Sequence, residues 1–241
     1  MRKFKRLGQV FLTNHAILQK EAGLANVADK AVLEIGPGDG RLTEKLLAQS
    51  PKKLIVVEKD GRFADMLKEK FKYDTRIEII NADFLEIEIP KVDVIIGNIP
   101  YYISSPIIFK LKDYEFDYAF LMVQKEFAEK MVAKPNDRNY GRLSVTSRIF
   151  FKVEYVMSVP KMFFSPMPKV DSALIKIMPT GIKLTKFEED IIRKLFQHKN
   201  KAVRNALKEY EIEDKRRVRT LTKEECLEIA KALAKNYTKE D

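Results

Sequence analysis

Glu34-Ile35-Gly36-Pro37-Gly38-Asp39-Gly40 joins an apolar run, Ala31–Ile35, to an amphipathic run, Arg41–Ala48. A glycine-rich turn between a buried strand and a helix lets a ligand approach the backbone closely and offers helix N-terminal N–H groups. Outward from this turn the same alternation repeats. Leu54–Glu58, Arg76–Ile80, Val92–Gly97 and Ala119–Val123 read as strands, while residues 14–27 (capped by Asn14), Gly61–Phe71, Ser105–Leu111 and Gln124–Ala133 read as helices. The strands are apolar throughout instead of alternating, the pattern of a parallel sheet covered by helices on both faces. Alternating β and α elements predict a doubly wound, Rossmann-like α/β fold. Lys152–Val159 and Ser172–Met178 read as two further strands, joined by a loop that Pro160, Pro166 and Pro168 stiffen. Beyond Pro179-Thr180-Gly181 the pattern turns helical, over Phe187–His198, Lys201–Tyr210 and Lys223–Asn236. The predicted organisation is an α/β domain over residues 1–180, with a basic arm at 1–12, and a small α-helical domain over 181–241.

Acidic residues after the next two strands indicate what the turn holds. Glu58 ends the second strand, 22 residues after Gly36, where a carboxylate accepts hydrogen bonds from ribose hydroxyls. Asp83 and Phe84 follow the third strand in Asn81-Ala82-Asp83-Phe84. Asp83 is placed to accept from an adenine amine and Phe84 to pack on the ring, although Asp83 alone reads equally as a turn or cap residue. The dinucleotide fingerprint G-x-G-x-x-G needs glycine at position 41, and Arg41 stands there. The glycines fall instead at 36, 38 and 40 behind Glu34, a spacing that resembles the loop of S-adenosylmethionine-dependent methyltransferases. That cofactor has no pyrophosphate to cradle, and its cationic sulfonium tolerates acidic neighbours that would repel a phosphate. A glycine turn that serves only packing is the competing reading of the loop by itself.

Asn98-Ile99-Pro100-Tyr101 follows the fourth strand. Its residue types suit methylation of an adenine exocyclic amine, a poor nucleophile because its lone pair is delocalised into the ring. Acceptors around the N–H groups draw that nitrogen toward tetrahedral geometry. The Asn98 side-chain carbonyl is one acceptor, and the Ile99 backbone carbonyl, held by the stiff Ile99–Pro100 unit, is the second. Tyr101 can stack on the base, which must leave its own stack to reach such a site. Phe164, in Met162-Phe163-Phe164-Ser165-Pro166-Met167-Pro168, is the expected second face. Catalysis then rests on positioning and oriented dipoles, with no strong base. The competing structural reading is an Asn-X-Pro turn that caps a helix, with Phe163 and Phe164 filling the core.

Composition narrows the partners. The chain has 241 residues, 45% hydrophobic and 33% charged, which supports a sizeable core. With only Cys226, His15 and His198 of their types, an internal disulfide is impossible and a zinc site built from His and Cys is excluded. No metal is expected. No apolar stretch approaches the ~20 residues of a membrane span, and the basic N-terminus lacks a signal-peptide core, so the expected compartment is the cytoplasm. Net charge is +10, distributed as +4 over residues 1–12, +2 over 13–180 and +4 over 181–241. Basic ends on a near-neutral body point to a polyanion. Arg2, Lys3, Lys5, Arg6, Lys199, Lys201 and Arg204 are the expected RNA-backbone contacts. Lys215-Arg216-Arg217 and Arg219 read equally as a solvated face.

Taken with Leu7-Gly8-Gln9-Val10-Phe11-Leu12, Tyr102-Ile103-Ser104-Ser105-Pro106, Tyr140-Gly141-Arg142-Leu143-Ser144-Val145 and Lys169-Val170-Asp171-Ser172-Ala173, these motifs run in one order through nearly all of the first 180 residues. They resemble the ribosomal RNA adenine N6,N6-dimethyltransferases of the KsgA type, in particular the archaeal ones. The stretch Phe196–Leu207 also looks like that family's first basic helical region. The resemblance implies transfer of two methyl groups from S-adenosylmethionine to each of two adjacent adenosines near the 3′ end of small-subunit rRNA, by a monomer that acts in ribosome biogenesis. It further implies that Gln9, Val10, Leu12, Gly36, Gly38, Glu58, Asp83, Phe84 and Asn98 line the cofactor site. Two positions depart from the pattern. Val10 stands where His or Asn is usual, and Ile99 where Leu is usual. Ile at the second place is frequent in the related large-subunit rRNA methylases of the antibiotic-resistance type, which form the alternative enzyme reading. A ribosome-assembly or transcription-associated binding protein on the same scaffold is the alternative outside enzymes.

Overall fold

The structure, a computed structural model, describes residues 10–237. The chain divides into two compact units. One holds residues 10–128 and Glu154–Pro179; the other holds Glu129–Val153 and the chain from Thr180 onward.

The first unit is built on a seven-stranded sheet. After a short strand β1 (Phe11–Leu12) come α1 (His15–Ala25), β2 (Ala31–Ile35), α2 (Arg41–Leu47), β3 (Lys53–Glu58), α3 (Gly61–Lys70), β4 (Ile77–Asn81) and β5 (Val94–Asn98). Then follow α4 (Ser104–Leu111), β6 (Tyr118–Gln124), α5 (Lys125–Val132), α6 (Arg142–Phe150), β7 (Phe151–Val159), β8 (Phe164–Ser165) and β9 (Ser172–Pro179). The strand order is β4-β3-β2-β5-β6-β9-β7. Strands β4, β3, β2, β5 and β6 pair in parallel, and β9 pairs antiparallel with β6. The predicted Rossmann-like α/β fold is the one observed.

The apolar strands bury both faces. Val32, Leu54, Val56, Val94, Ile96, Phe120 and Met122 share one core with Leu18, Ala22 and Ala25 of α1 and Leu42 and Leu46 of α2. Their neighbours in sequence, Leu33, Ile55, Ile95 and Leu121, are equally buried, which explains why these strands show no polar alternation. Asn14 caps α1 by accepting from the Ile17 N–H, and Asp60 caps α3 by accepting from the Arg62 N–H. Strand β1 pairs antiparallel with β8, so Leu12 lies opposite Phe164 across about 150 residues of chain.

In the second unit α6 packs with α7 (Lys186–Gln197) and α9 (Lys223–Tyr237). Thr185 and Glu188 form a reciprocal cap at the start of α7. Tyr140, quoted above as part of a motif, is 2% exposed. Its hydroxyl donates to the Leu221 carbonyl and its ring meets Phe196 edge-on at 5.8 Å. The single helix predicted over Lys201–Tyr210 is not formed. Only α8 (Val203–Ala206) and a 3-10 turn over Lys208–Tyr210 are helical, and Glu211 ends them in the left-handed region at φ 49°. At the start of α8 the Val203 and Arg204 N–H groups, which have no acceptor within the helix, bond to the Arg216 and Asp214 carbonyls, and Val218 N–H bonds to Lys201 O. Those bonds tie the helix start to another segment. No helix among the described residues is long and apolar enough to cross a membrane.

Candidate active site

Parallel strands send their carboxyl ends to one rim of the sheet, and ligands bind where the strand order reverses. Here that point lies between β2 and β5. A cleft of about 850 Å³, open mouth included, sits there. It brings together Val10, Leu12, Gly36, Gly38, Glu58, Asn98, Ile99, Pro100, Tyr101 and Phe164, all of them site residues expected from sequence. Asp83 and Phe84 do not line it. They follow β4, one strand further out, where Asp83 pairs with Lys59 and accepts from the Leu85 N–H, and Phe84 is buried beneath the Lys110 ammonium at 5.4 Å. Gln9, Arg2, Lys3, Lys5 and Arg6 lie outside the described residues.

The glycine turn is shaped for close approach. Gly38 has φ +56°, a conformation that favours glycine, and a Cβ there would stand 2.6 Å from the Phe11 ring, which would have to turn aside. Its N–H donates to Glu58 Oε2 at 3.1 Å, while Asp60 N–H donates to Glu58 Oε1 at 2.8 Å. Glu58 is thus held by backbone on both oxygens, and each oxygen keeps a further lone pair for a ribose hydroxyl. Burial raises its pKa, against the two backbone N–H groups that lower it. Glu34 is 1% exposed and lines the cleft, yet among the described residues neither of its oxygens has a hydrogen-bond partner. Burial pushes its carboxyl up to about 8, and the Glu21, Glu58 and Asp39 carboxylates add to the shift. An unpartnered buried carboxyl is costly, and a cationic ligand with N–H donors relieves that cost. The donor set therefore fits S-adenosylmethionine and disfavours a phosphate.

Asn98 closes β5 with its side-chain Oδ1 buried and unpartnered; its Nδ2 donates to Glu21 Oε2 at 3.3 Å. The Ile99 side chain is buried at 2% exposure. Pro100 leads into a 3-10 turn over Tyr101–Ile103, and the Tyr101 hydroxyl is anchored 2.6 Å from Ser172 Oγ at the start of β9. Phe164 is 6% exposed and belongs both to the core and to the cleft wall. Thr13 fixes its strand by two bonds to the Phe163 carbonyl.

Lys199, Lys201 and Arg204 belong to the second unit. Lys201 and Arg204 are exposed, whereas the Lys199 ammonium donates to the Arg138 and Tyr140 carbonyls. Arg216 is paired with Asp214 and Glu225. Among the described residues no cluster of three or more His, Cys, Asp or Glu could hold a metal ion.

Three participants were not singled out by sequence: Phe11, Glu21 and Gly97. Glu21 carried a readable signal, because Leu18, Glu21, Ala22 and Ala25 form the buried stripe of α1 and helix periodicity calls for an apolar residue at its position. Gly97 and Phe11 matter through contacts across strands, which no local pattern records.

A family model described as ribosomal RNA adenine dimethylase matches residues 1–235. The chain is 42% identical over 214 residues to a probable ribosomal RNA small subunit methyltransferase A of Methanopyrus kandleri, covering 86% of this chain and 77% of that one. It is 42% identical over 205 residues to the protein of the same description from Pyrococcus abyssi, covering 85% and 75%. Among solved structures, a dimethyladenosine transferase from Plasmodium falciparum superposes with TM-score 0.83 at 32% identity, over 93% of this chain and 98% of that one. The 23S rRNA methyltransferase ErmE superposes with TM-score 0.71 at 28% identity, over 93% and 99%. With a family model matched over nearly its whole length and relatives 42% identical over most of it, the chain belongs to the ribosomal RNA adenine dimethylase family.

Proposed function

We propose that this protein transfers methyl groups from S-adenosylmethionine to the exocyclic amines of two adjacent adenosines near the 3′ end of small-subunit rRNA, acting as a monomer in ribosome biogenesis. The observation that carries the reading is the buried, unpartnered Asn98 Oδ1 in the wall of an acid-lined cleft. An amide oxygen in that state demands an N–H donor, and the adenine amine has two.

When bound, the cofactor supplies an electrophilic methyl on a cationic sulfonium. Glu58 holds the ribose hydroxyls, Gly36 and Gly38 admit the cofactor against the backbone, and Glu34, whose carboxyl burial keeps protonated, is favoured in its ionised form once a cationic end lies beside it. Asp83 and Phe84 receive the adenine end. Asn98 Oδ1 and the Ile99 carbonyl accept from the substrate amine and turn its lone pair toward the methyl. Tyr101 and Phe164 hold the base between them once it has left its stack. Leu12, opposite Phe164 in the β1–β8 pair, and Val10, through its backbone, complete the wall. RNA backbone contacts come from Arg2, Lys3, Lys5, Arg6, Lys201 and Arg204, with Lys199 contributing less because its ammonium is already engaged.

The test is methylation of purified ribosomal subunits with labelled cofactor, followed by mass spectrometry of the rRNA. Label at adjacent adenosines of the small-subunit RNA is expected, and label confined to the large subunit overturns the assignment. Asn98→Ala is expected to lower turnover by roughly 100-fold or more while cofactor binding persists; native turnover in that variant overturns the positioning role.

A further inference from the structure

Glu21 has no ligand role in the mechanism above, yet it is fully buried in the apolar stripe of α1 beside Leu18, Ala22 and Ala25. A carboxyl in such a place destabilises a helix-to-sheet interface unless it is held there for another reason. Among the described residues its side chain is bonded to Asn98, whose Nδ2 donates to Glu21 Oε2. Glu21 Oε1 and Asn98 Oδ1 are both shut away from solvent and both unpartnered.

The two ends of an asparagine amide are nearly the same size, so packing alone does not decide which end faces a ligand; hydrogen-bond partners do. Glu21 Oε2 is an acceptor whether the carboxyl is ionised or carries its proton on the other oxygen. It therefore retains the NH₂ end of Asn98 against α1 and leaves the oxygen for the cleft. The reverse orientation would aim an N–H at the substrate amine. Donor would then face donor, or the N–H would engage the lone pair that must attack the methyl.

We propose that Glu21 is a positioning residue for methyl transfer, one that orients the Asn98 amide by holding its nitrogen so that the oxygen receives the substrate amine. The assignment rests on Asn98 accepting from that amine, as proposed above. Glu21 touches neither substrate nor cofactor in this scheme; it acts through Asn98 alone.

The experiment compares the native full-length chain with Glu21→Leu, Glu21→Gln and Asn98→Ala, using labelled cofactor and purified small ribosomal subunits. Cofactor Kd and Tm are measured in parallel. Glu21→Leu keeps the size and removes the acceptor. It is expected to lower kcat roughly 10- to 100-fold, with cofactor Kd and the KM for the subunit within about threefold and Tm no lower than native. Glu21→Gln restores an acceptor and is expected to recover kcat to within about fivefold of native. A merely structural role would move Tm and leave kcat per folded molecule unchanged. Native kcat in Glu21→Leu with Asn98→Ala inactive overturns the role of Glu21 and leaves the Asn98 reading intact. Native kcat in Asn98→Ala overturns the reading itself. Glu21→Gln as slow as Glu21→Leu, both folded, overturns the role as well. Should Glu21→Leu not fold, Glu21→Met makes the same comparison.

Discussion

Replacing Gly97 by Ala tests how tightly the sheet holds Asn98. Strand β5 pairs with β2 through Val32–Val94, Leu33–Ile95 and Glu34–Ile96, and Gly97 then comes against the Ile35 backbone. A Cβ at position 97 would lie 2.6 Å from the Ile35 carbonyl oxygen and 3.1 Å from Ile35 Cβ. A comfortable carbon-to-oxygen separation is about 3.3 Å, so the end of β5 must move away by about 0.7 Å. Ile35 cannot yield easily, because it is backbone inside a parallel ladder that continues into β3 through Ile35–Val57. Overpacking of this kind costs about 1–3 kcal/mol, and a loss of about 2 kcal/mol lowers Tm by about 4–8 °C for a chain of this size. Asn98 is the next residue and moves with the strand. A 1 Å misplacement in a catalytic array costs about 100-fold in rate, so a shift of about 0.7 Å corresponds to a fall in kcat of roughly 20- to 50-fold. The assay is kcat on ribosomal subunits with labelled cofactor, run well below the transition, beside Tm by calorimetry. Native Tm would show that the strands separate freely here. Lowered Tm with native kcat would show that the chemistry does not depend on where the strand places Asn98, and would refute the reasoning.

The buried Glu34 carboxyl titrates near 8 in the folded chain against 4.5 ordinarily, so between those values the folded state keeps a proton that the unfolded state has released. Its contribution to stability therefore falls as pH rises from about 5 to about 8 and levels off above; Glu34→Gln is expected to lose that slope, and parallel Tm-against-pH curves for variant and native protein would refute it. Lys201→Ala and Arg204→Ala are each expected to reduce by about one the slope of log K for RNA against log salt concentration; an unchanged slope removes that residue from the interface. Ile99→Leu conserves volume at a buried position and keeps the backbone carbonyl. It is expected to change stability by less than about 1.5 kcal/mol and to leave the partition of label between ribosomal subunits unchanged, and a tenfold shift in that partition would overturn this.

Much of the cleft is legible from sequence because its parts sit at strand ends. An apolar run fixes the strand, and the residue after it must then lie on the carboxyl rim; Gly36, Glu58 and Asn98 follow from that rule. Asp83 and Phe84 obey the same rule and still stand apart from the cleft walls, since two strands, β3 and β2, separate β4 from β5. What sequence does not show is pairing over long separations. The β1–β8 contact that seats Phe164 against Leu12 spans about 150 residues and rests on two-residue strands, too short for any periodicity. The clustering of Glu129–Val153 with the helices after Pro179 is likewise set by contacts such as that of the Tyr140 hydroxyl with Leu221. The short helix within Lys201–Tyr210 likewise has its first N–H groups satisfied by carbonyls distant in sequence, those of Asp214 and Arg216.

Three glutamates, at positions 21, 34 and 58, are buried at this one site, and sheet packing alone gives no reason for any of them. Glu58 is compensated by backbone N–H groups. Glu34 has no partner and Glu21 has one of its two oxygens unpartnered. An interior that tolerates such groups gives up stability for an electrostatic shape. That shape is rich in acceptors, and its raised carboxyl pKa values mean that a cation entering it draws out the ionised forms. It complements a ligand that brings positive charge and N–H groups, and it opposes one that brings phosphate. The adjoining Asn98 carries the same demand in neutral form, an oxygen awaiting an N–H. Ile99 is buried at 2% exposure and belongs to the cleft wall. The acceptors of the cleft therefore suit methylation of an amine by a cationic donor.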